Sequence, residues 1–175
     1  MTGLYGGSFD PPHNGHVALV DAARRHFAFD RFVVLVGESP GHKPAVAPAD
    51  LRLRMAHAAF PRLDVELDPF PYTVDMLRAR GWDDPLFLVG ADQLEAFSSW
   101  KEPQAVLELA RLGVATRPDY AIMGPAHDRV LLFEIPAVDV SSTEVRRRVA
   151  AGEPIGDLVP SAVAALIEET CVYRQ

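Results

Sequence analysis

Short apolar runs separated by stretches of helical periodicity set the strongest limit on what this chain folds into. RFVVLV (residues 31–36) and PLFLV (residues 85–89) are continuous runs that carry no charge after their first residue. Such a strand is stable only where both of its faces are covered. Met1 to Tyr5, Leu63 to Leu67, Leu112 to Ala115 and Val130 to Ile135 supply further strand candidates. Helical patterns lie between them. Asn14 to about Phe27 carries Val20, Ala23 and Phe27 at spacings of three and four. A helix capped by Asp50 has Leu53, Ala56 and Phe60 in its stripe, and Thr73 to Arg80 ends at Gly81. Asp92 to Phe97, Pro103 to Ala110, Ser141 to Ala150 and Ser161 to Glu169 complete the set. Near-regular alternation of strand and helix predicts a single doubly wound α/β domain over residues 1–175, with a mostly parallel sheet.

In such folds ligands lie beyond the carboxyl ends of the strands, near the point where strand order reverses. The positions to inspect are therefore Gly6 to His13, Gly37 to Lys43, Gly90 to Asp92, and Arg117 onward. Composition narrows the classes of ligand. A net charge of -7 argues against a general nucleic-acid binder but permits a local site for a small anion. No apolar run approaches a membrane span or a signal peptide, and the one cysteine, Cys171, suits a reducing compartment. The expected location is the cytoplasm. Oligomeric state is not legible.

The first of those loops is GGSFDPPHNGH, Gly6 to His16. It is rich in glycine like a phosphate-binding loop, yet it fits neither the dinucleotide fingerprint nor Walker A and has no lysine. Its glycines allow a sharp turn, and the helix that follows offers free N–H groups and the positive end of its dipole. His13 and His16, three apart, can share one side of the first turn. An imidazolium, or a neutral imidazole donating its N–H, can stabilise charge on a phosphate. A structural turn carrying a satisfied surface histidine pair explains the composition equally well. A metal site ranks lower, because no third ligand is suggested nearby.

The second stretch is VDVSSTEVRRR, Val138 to Arg148. Ser141-x-x-Glu144 has the form of a capping box, which by itself accounts for the polar residues at a helix start. The alternative is a second phosphate site in which hydroxyls and free N–H groups are joined by an arginine. Successive helical residues point about 100° apart, so Arg146, Arg147 and Arg148 cannot all serve one ligand. Two phosphate-capable helix termini without a Walker lysine suggest a nucleoside triphosphate spanning both.

GGSFDPPHNGH resembles the GxFDPxHxGH signature of the nucleotidyltransferases, and VSSTEVR resembles their ISSTxxR signature. GHKP, LRLRM, PYTVDML, LVGADQLEAFSSWK and ATRPDY carry the resemblance through most of the chain, toward the bacterial nicotinate mononucleotide adenylyltransferases. The resemblance implies a Rossmann-like domain of nucleotidyltransferase type. It implies that His13 and His16 stabilise charge at the α-phosphorus of ATP, and that Gly7, Ser8 and Phe9 bring backbone to the phosphates. Ser142, Thr143 and Arg146 would hold the triphosphate tail. Gly90 and Asp92 match the ribose-binding segment, and Arg117 would lie beside the adenine. Thr73 and Trp100 match positions that hold the nicotinate ring, Trp100 by stacking, while Lys43 would meet the mononucleotide phosphate. Thr73 also reads as a helix N-cap and Trp100 as a core aromatic, but Trp100-Lys101 follows Asp92 at the family spacing, which favours the ring-binding role.

The implied reaction joins ATP and nicotinate mononucleotide, with release of pyrophosphate. A phosphate oxygen is already a nucleophile at neutral pH, so positioning and charge neutralisation can carry the catalysis. Mg2+ would arrive with ATP, and no protein ligand to a metal is named. Other readings are phosphopantetheine adenylyltransferase, nicotinamide mononucleotide adenylyltransferase, or a nucleotide-binding regulator of the same fold that has lost catalysis.

Overall fold

The protein is described by a computed structural model covering residues 1–39, 45–116 and 127–174. Along the chain run β1 (Thr2–Gly7), α1 (Asn14–His26), β2 (Arg31–Gly37), α2 (Ala49–Ala59), β3 (Asp64–Asp68), α3 (Thr73–Arg80) and β4 (Leu86–Gly90). They are followed by α4 (Ala91–Glu95), a 3-10 turn over Phe97–Ser99, α5 (Pro103–Leu109), β5 (Arg111–Thr116), β6 (Val130–Glu134), α6 (Ser142–Ala151) and α7 (Ser161–Thr170). The six strands form one sheet in the order β3-β2-β1-β4-β5-β6, and every neighbouring pair is parallel. The architecture is the doubly wound α/β fold expected, with a sheet parallel throughout.

β2 shows how the sequence produces two layers. Val34 and Val36 pack into a core with Leu19 and Val20 of α1, Met55 of α2, and Val163 and Ile167 of α7. Val33 and Leu35 project the other way, toward Val74 and Leu77 of α3, Leu94 of α4 and Val106 of α5. Alternate residues of a strand face opposite sides, so an apolar run without polar interruption fits only a sheet with helices on both faces. Burying each such side chain contributes about 1.5–3 kcal/mol.

The sequence positions of the sheet neighbours place the site. From β1 the chain winds outward through β2 and β3, then returns to lay β4 on the other side of β1, with Tyr5 opposite Leu88. Strand order therefore reverses between β1 and β4. The loops leaving their carboxyl ends diverge there and leave a crevice.

α3 starts at Thr73 as expected, but the cap residues differ at two helices. α2 begins at Ala49 with Pro48 at its cap position, and Asp50 sits inside the first turn. There its carboxylate complements the helix dipole in place of capping an amide. Tyr72 is the cap residue of α3 and Thr73 its first helical residue. Ser141 does cap α6, accepting from the Glu144 N–H at 3.1 Å. Glu144 does not complete a capping box; its carboxylate pairs with Arg147 and Arg148 instead, and those hydrogen bonds hold its pKa down to about 2. Gly81 closes α3 at φ 61°, the left-handed conformation that its position requires.

Candidate active site

A cavity of about 650 Å³ opens in the crevice between the ends of β1 and β4. Gly7, Ser8, His13 and His16 line it from the β1–α1 connection, Gly90 and Asp92 from the end of β4, and Thr73 and Trp100 from farther along the chain. Two loops remote in sequence thus converge with the aromatic segment on one space.

The histidine pair is built by the first turn of α1. The His13 and His16 rings stack with centroids 3.6 Å apart and planes 25° from parallel. The His13 backbone N–H donates to His16 Nδ1 at 3.1 Å. With Nδ1 accepting, the neutral His16 ring carries its proton on Nε2, which makes that N–H its donor. Phe9 supports the ring from behind at 5.1 Å between centroids and packs on Tyr5 and Phe60 as well. Phe9 is 1% exposed and its backbone is left-handed, at φ 48°. Its side chain is thus a floor beneath the histidines.

Burial sets the charge of the pair. Loss of solvent lowers His13 to about 4, and burial together with the neighbouring His13 holds His16 well below its usual value. Both rings are therefore neutral at pH 7 in the ligand-free fold. His13 Nδ1 is buried and has no hydrogen-bond partner among the described residues. An anion in the cavity would stabilise the protonated ring. We expect the His13 imidazole to titrate near pH 4 without ligand and higher when ATP is added, as followed by NMR. The same shift acts on folding. Between about 4 and the ordinary value of 6.5 the unfolded chain binds more protons, so stability should fall as pH drops through that window. A ligand-free titration near 6.5 would contradict the burial argument.

The start of α6 does not line the cavity but is tied to the same loop at Asp10 and Pro11. Ser142 Oγ donates to the Pro11 carbonyl at 2.8 Å, while Arg146 donates to the Asp10 carbonyl at 2.6 Å and to Thr143 Oγ1 at 3.2 Å. Arg147 and Arg148 are occupied elsewhere, pairing with Glu144, Glu153 and Asp157. Of the three arginines, Arg146 alone is joined to the histidine loop by the hydrogen bonds described.

At the other wall, Asp92 folds back onto Gly90. A Cβ at position 90 would lie 2.6 Å from Asp92 Oδ1, so a side chain there would push the Asp92 carboxylate out of its present position. The half-buried Trp100 rests on Phe97 and Phe87, with centroids 5.3 and 6.3 Å away, and borders the cavity beside Thr73. Lys101 is held by Asp75 at 2.9 Å and stands 5.0 Å above the Tyr72 ring. Burial raises the pKa of Asp68, another lining residue. Lys43 and Arg117 lie outside the described residues.

Sequence reasoning missed the buried supports. Arg52, 1% exposed, donates to the carbonyls of Ala47, Ser8, Gly37 and Glu38 at 2.7–3.0 Å. Asp10, 4% exposed, accepts from the Val46 and Ala47 amides at 2.7 and 3.0 Å. LRLRM and FDP contain these residues, but neither segment reveals a partner dozens of positions away.

Residues 4–148 match the model of the Cytidylyltransferase-like family. The chain is 42% identical over 184 residues to a Thermus thermophilus protein named "Probable nicotinate-nucleotide adenylyltransferase", covering 98% of each. It is 37% identical over 193 residues to a protein of the same name from a Roseiflexus species, covering 98% of this chain and 97% of that one. In fold it is similar to the Plasmodium falciparum nicotinic acid mononucleotide adenylyltransferase solved in complex with NaAD, with a TM-score of 0.83 at 18% identity over 99% of this chain and 97% of that one. A second solved structure, a nicotinate-nucleotide adenylyltransferase assigned from Vibrio parahaemolyticus, is similar at a TM-score of 0.69 and 15% identity over 99% and 95% of the two chains. By sequence, the chain belongs to the Cytidylyltransferase-like nucleotidyltransferases and, within them, to the nicotinate-nucleotide adenylyltransferase family.

Proposed function

We propose that residues 1–175 act as one nucleotidyltransferase domain, moving the adenylyl group of ATP to nicotinate mononucleotide in the cytoplasm. The observation that carries this reading is one cavity with the stacked His13–His16 pair on one wall and the Thr73–Trp100 corner on another. The first wall suits a phosphate and the second a flat ring.

In this reaction an oxygen of the mononucleotide phosphate attacks the α-phosphorus of ATP. The bond from that phosphorus to the α,β-bridging oxygen breaks, and pyrophosphate leaves with the electron pair. Nicotinate adenine dinucleotide is the other product. His16, with its proton on Nε2, donates to the phosphate oxygens as charge builds on them, and His13 shares that load. Backbone at Gly7, Ser8 and Phe9 approaches the phosphates, and Ser142, Thr143 and Arg146 hold the departing end. Asp92 and Gly90 receive the ribose, Arg117 the adenine, Thr73 and Trp100 the nicotinate ring, and Lys43 the acceptor phosphate.

Mg2+ enters as part of the MgATP substrate. The groups assigned to the triphosphate are histidine N–H donors, hydroxyls and a guanidinium, a set that suits the phosphates and not a cation. No further step is assigned to the metal.

The test is ATP-dependent pyrophosphate release with nicotinate mononucleotide, nicotinamide mononucleotide and phosphopantetheine supplied separately. We expect release with nicotinate mononucleotide to exceed the other two by at least about tenfold, or roughly 1.4 kcal/mol of discrimination. Release only with phosphopantetheine would replace this reading with a different transferase, and no release with any of the three acceptors would replace it with a regulator.

A further inference from the structure

The end of the chain returns to the histidine loop. Beyond α7, Cys171 and Tyr173 both take left-handed backbone, at φ 54° and φ 69°, which residues bearing a Cβ seldom adopt. This path buries the Tyr173 ring, 6% exposed, and brings its hydroxyl to Asp10 Oδ1 at 2.6 Å across 163 positions of sequence. Burial and the Asp10 hydrogen bond push the phenol's pKa up, so it stays a donor at neutral pH.

Asp10 is the point where the tail can influence the chemistry. Its carboxylate has neutral donors, namely the Val46 and Ala47 amides and the Tyr173 hydroxyl. It also has a charged neighbour, because Arg146 Nη1 lies 4.0 Å from Oδ2 and is already hydrogen-bonded to the Asp10 carbonyl. A buried carboxylate that loses a donor must find another. Two guanidiniums act on it: Arg52, whose donors are taken up by four carbonyls, and Arg146, which already lies at the edge of ion-pair distance and can close further. An arginine closed onto Asp10 would have its charge neutralised and be a poorer ligand for phosphate.

We propose that Tyr173 is a positioning residue for the triphosphate: by holding Asp10 Oδ1 it keeps the carboxylate from closing on Arg146 and leaves that guanidinium free for ATP. The inference rests on the adenylyl-transfer reading for the role of Arg146. It makes the C-terminal tail part of the nucleotide site without any contact to substrate.

Tyr173→Phe removes one oxygen and keeps the ring packed. ATP affinity, measured by calorimetry without acceptor, and the KM for MgATP should each weaken roughly three- to tenfold. The KM for nicotinate mononucleotide should stay within twofold. A purely structural role would lower the melting temperature without splitting the two KM values. In an Asp10→Asn background, which removes the charge that captures Arg146, adding Tyr173→Phe should cost no further ATP affinity. Unchanged ATP affinity in Tyr173→Phe, equal losses for both substrates, or a full loss persisting beside Asp10→Asn would each overturn the proposal. Wild-type protein that binds ATP but ignores nicotinate mononucleotide would sink the acceptor reading alone. Wild-type protein that binds no ATP would end both.

Discussion

His16→Ala is expected to lower turnover by about two to four orders of magnitude while leaving a folded protein. The reasoning starts from the hydrogen bond that orients the ring. His16 Nδ1 accepts from the His13 amide, so the ring proton resides on Nε2 and its direction is fixed by the first turn of α1. Phe9, Tyr5 and His13 confine the ring on its other sides, at centroid distances of 5.1, 6.1 and 3.6 Å. A donor held this way needs no reorganisation when charge develops on the phosphate, and preorganisation is what makes such a donor catalytic. Burial keeps the free ring neutral, so the substrate's own charge must draw any proton onto the pair. The loss should therefore appear in kcat more than in the KM for either substrate. His16→Gln, which retains an N–H, should recover part of the turnover. A folded His16→Ala protein with near-normal turnover would sink this role and transfer the catalytic assignment to His13 and Arg146.

Much of this site was legible because its determinants are local. A His-x-x-His spacing at a helix start puts two rings on one face whatever surrounds them. The 100° step between helical residues likewise required that most of Arg146, Arg147 and Arg148 look away from any one ligand. Which arginine faces the loop was settled by acidic partners, with Glu144, Glu153 and Asp157 drawing off Arg147 and Arg148. RFVVLV was legible as a doubly covered strand for the same local reason. Sheet order was not, because periodicity identifies strands without their neighbours. Cap preference misled at Asp50, and the capping alternative for Thr73 is not what forms. Propensity describes which residues cap helices on average, whereas here Pro48 and Tyr72 occupy the cap positions and Thr73 borders the cavity. The neutrality of the histidines was also out of reach, since it comes from burial by residues on other elements.

Arg52 gives the largest expected effect on stability. Its guanidinium joins segments that the chain keeps apart: Ser8 after β1, Gly37 at the end of β2 with Glu38 beyond it, and Ala47 before α2. Each of those carbonyls would lack its donor in Arg52→Met, which has similar length and no N–H. The nearby Asp10 carboxylate would lose a favourable charge as well, since its field raises the pKa of Arg52 against the effect of burial. Removing one member of a buried charged network costs about 3–5 kcal/mol. For a chain of this size that corresponds to a melting temperature lower by about 10 °C. Arg52→Lys should fall between the two, because an ammonium keeps the charge but offers three donors and no planar fork. The order wild type, lysine, methionine distinguishes a guanidinium clamp from a simple need for positive charge, which lysine would satisfy in full. Calorimetric unfolding of the three proteins measures it. A methionine variant melting within a degree or two of wild type would mean that these carbonyls find other donors and that the loops around Ser8 and Gly37 are held by packing alone.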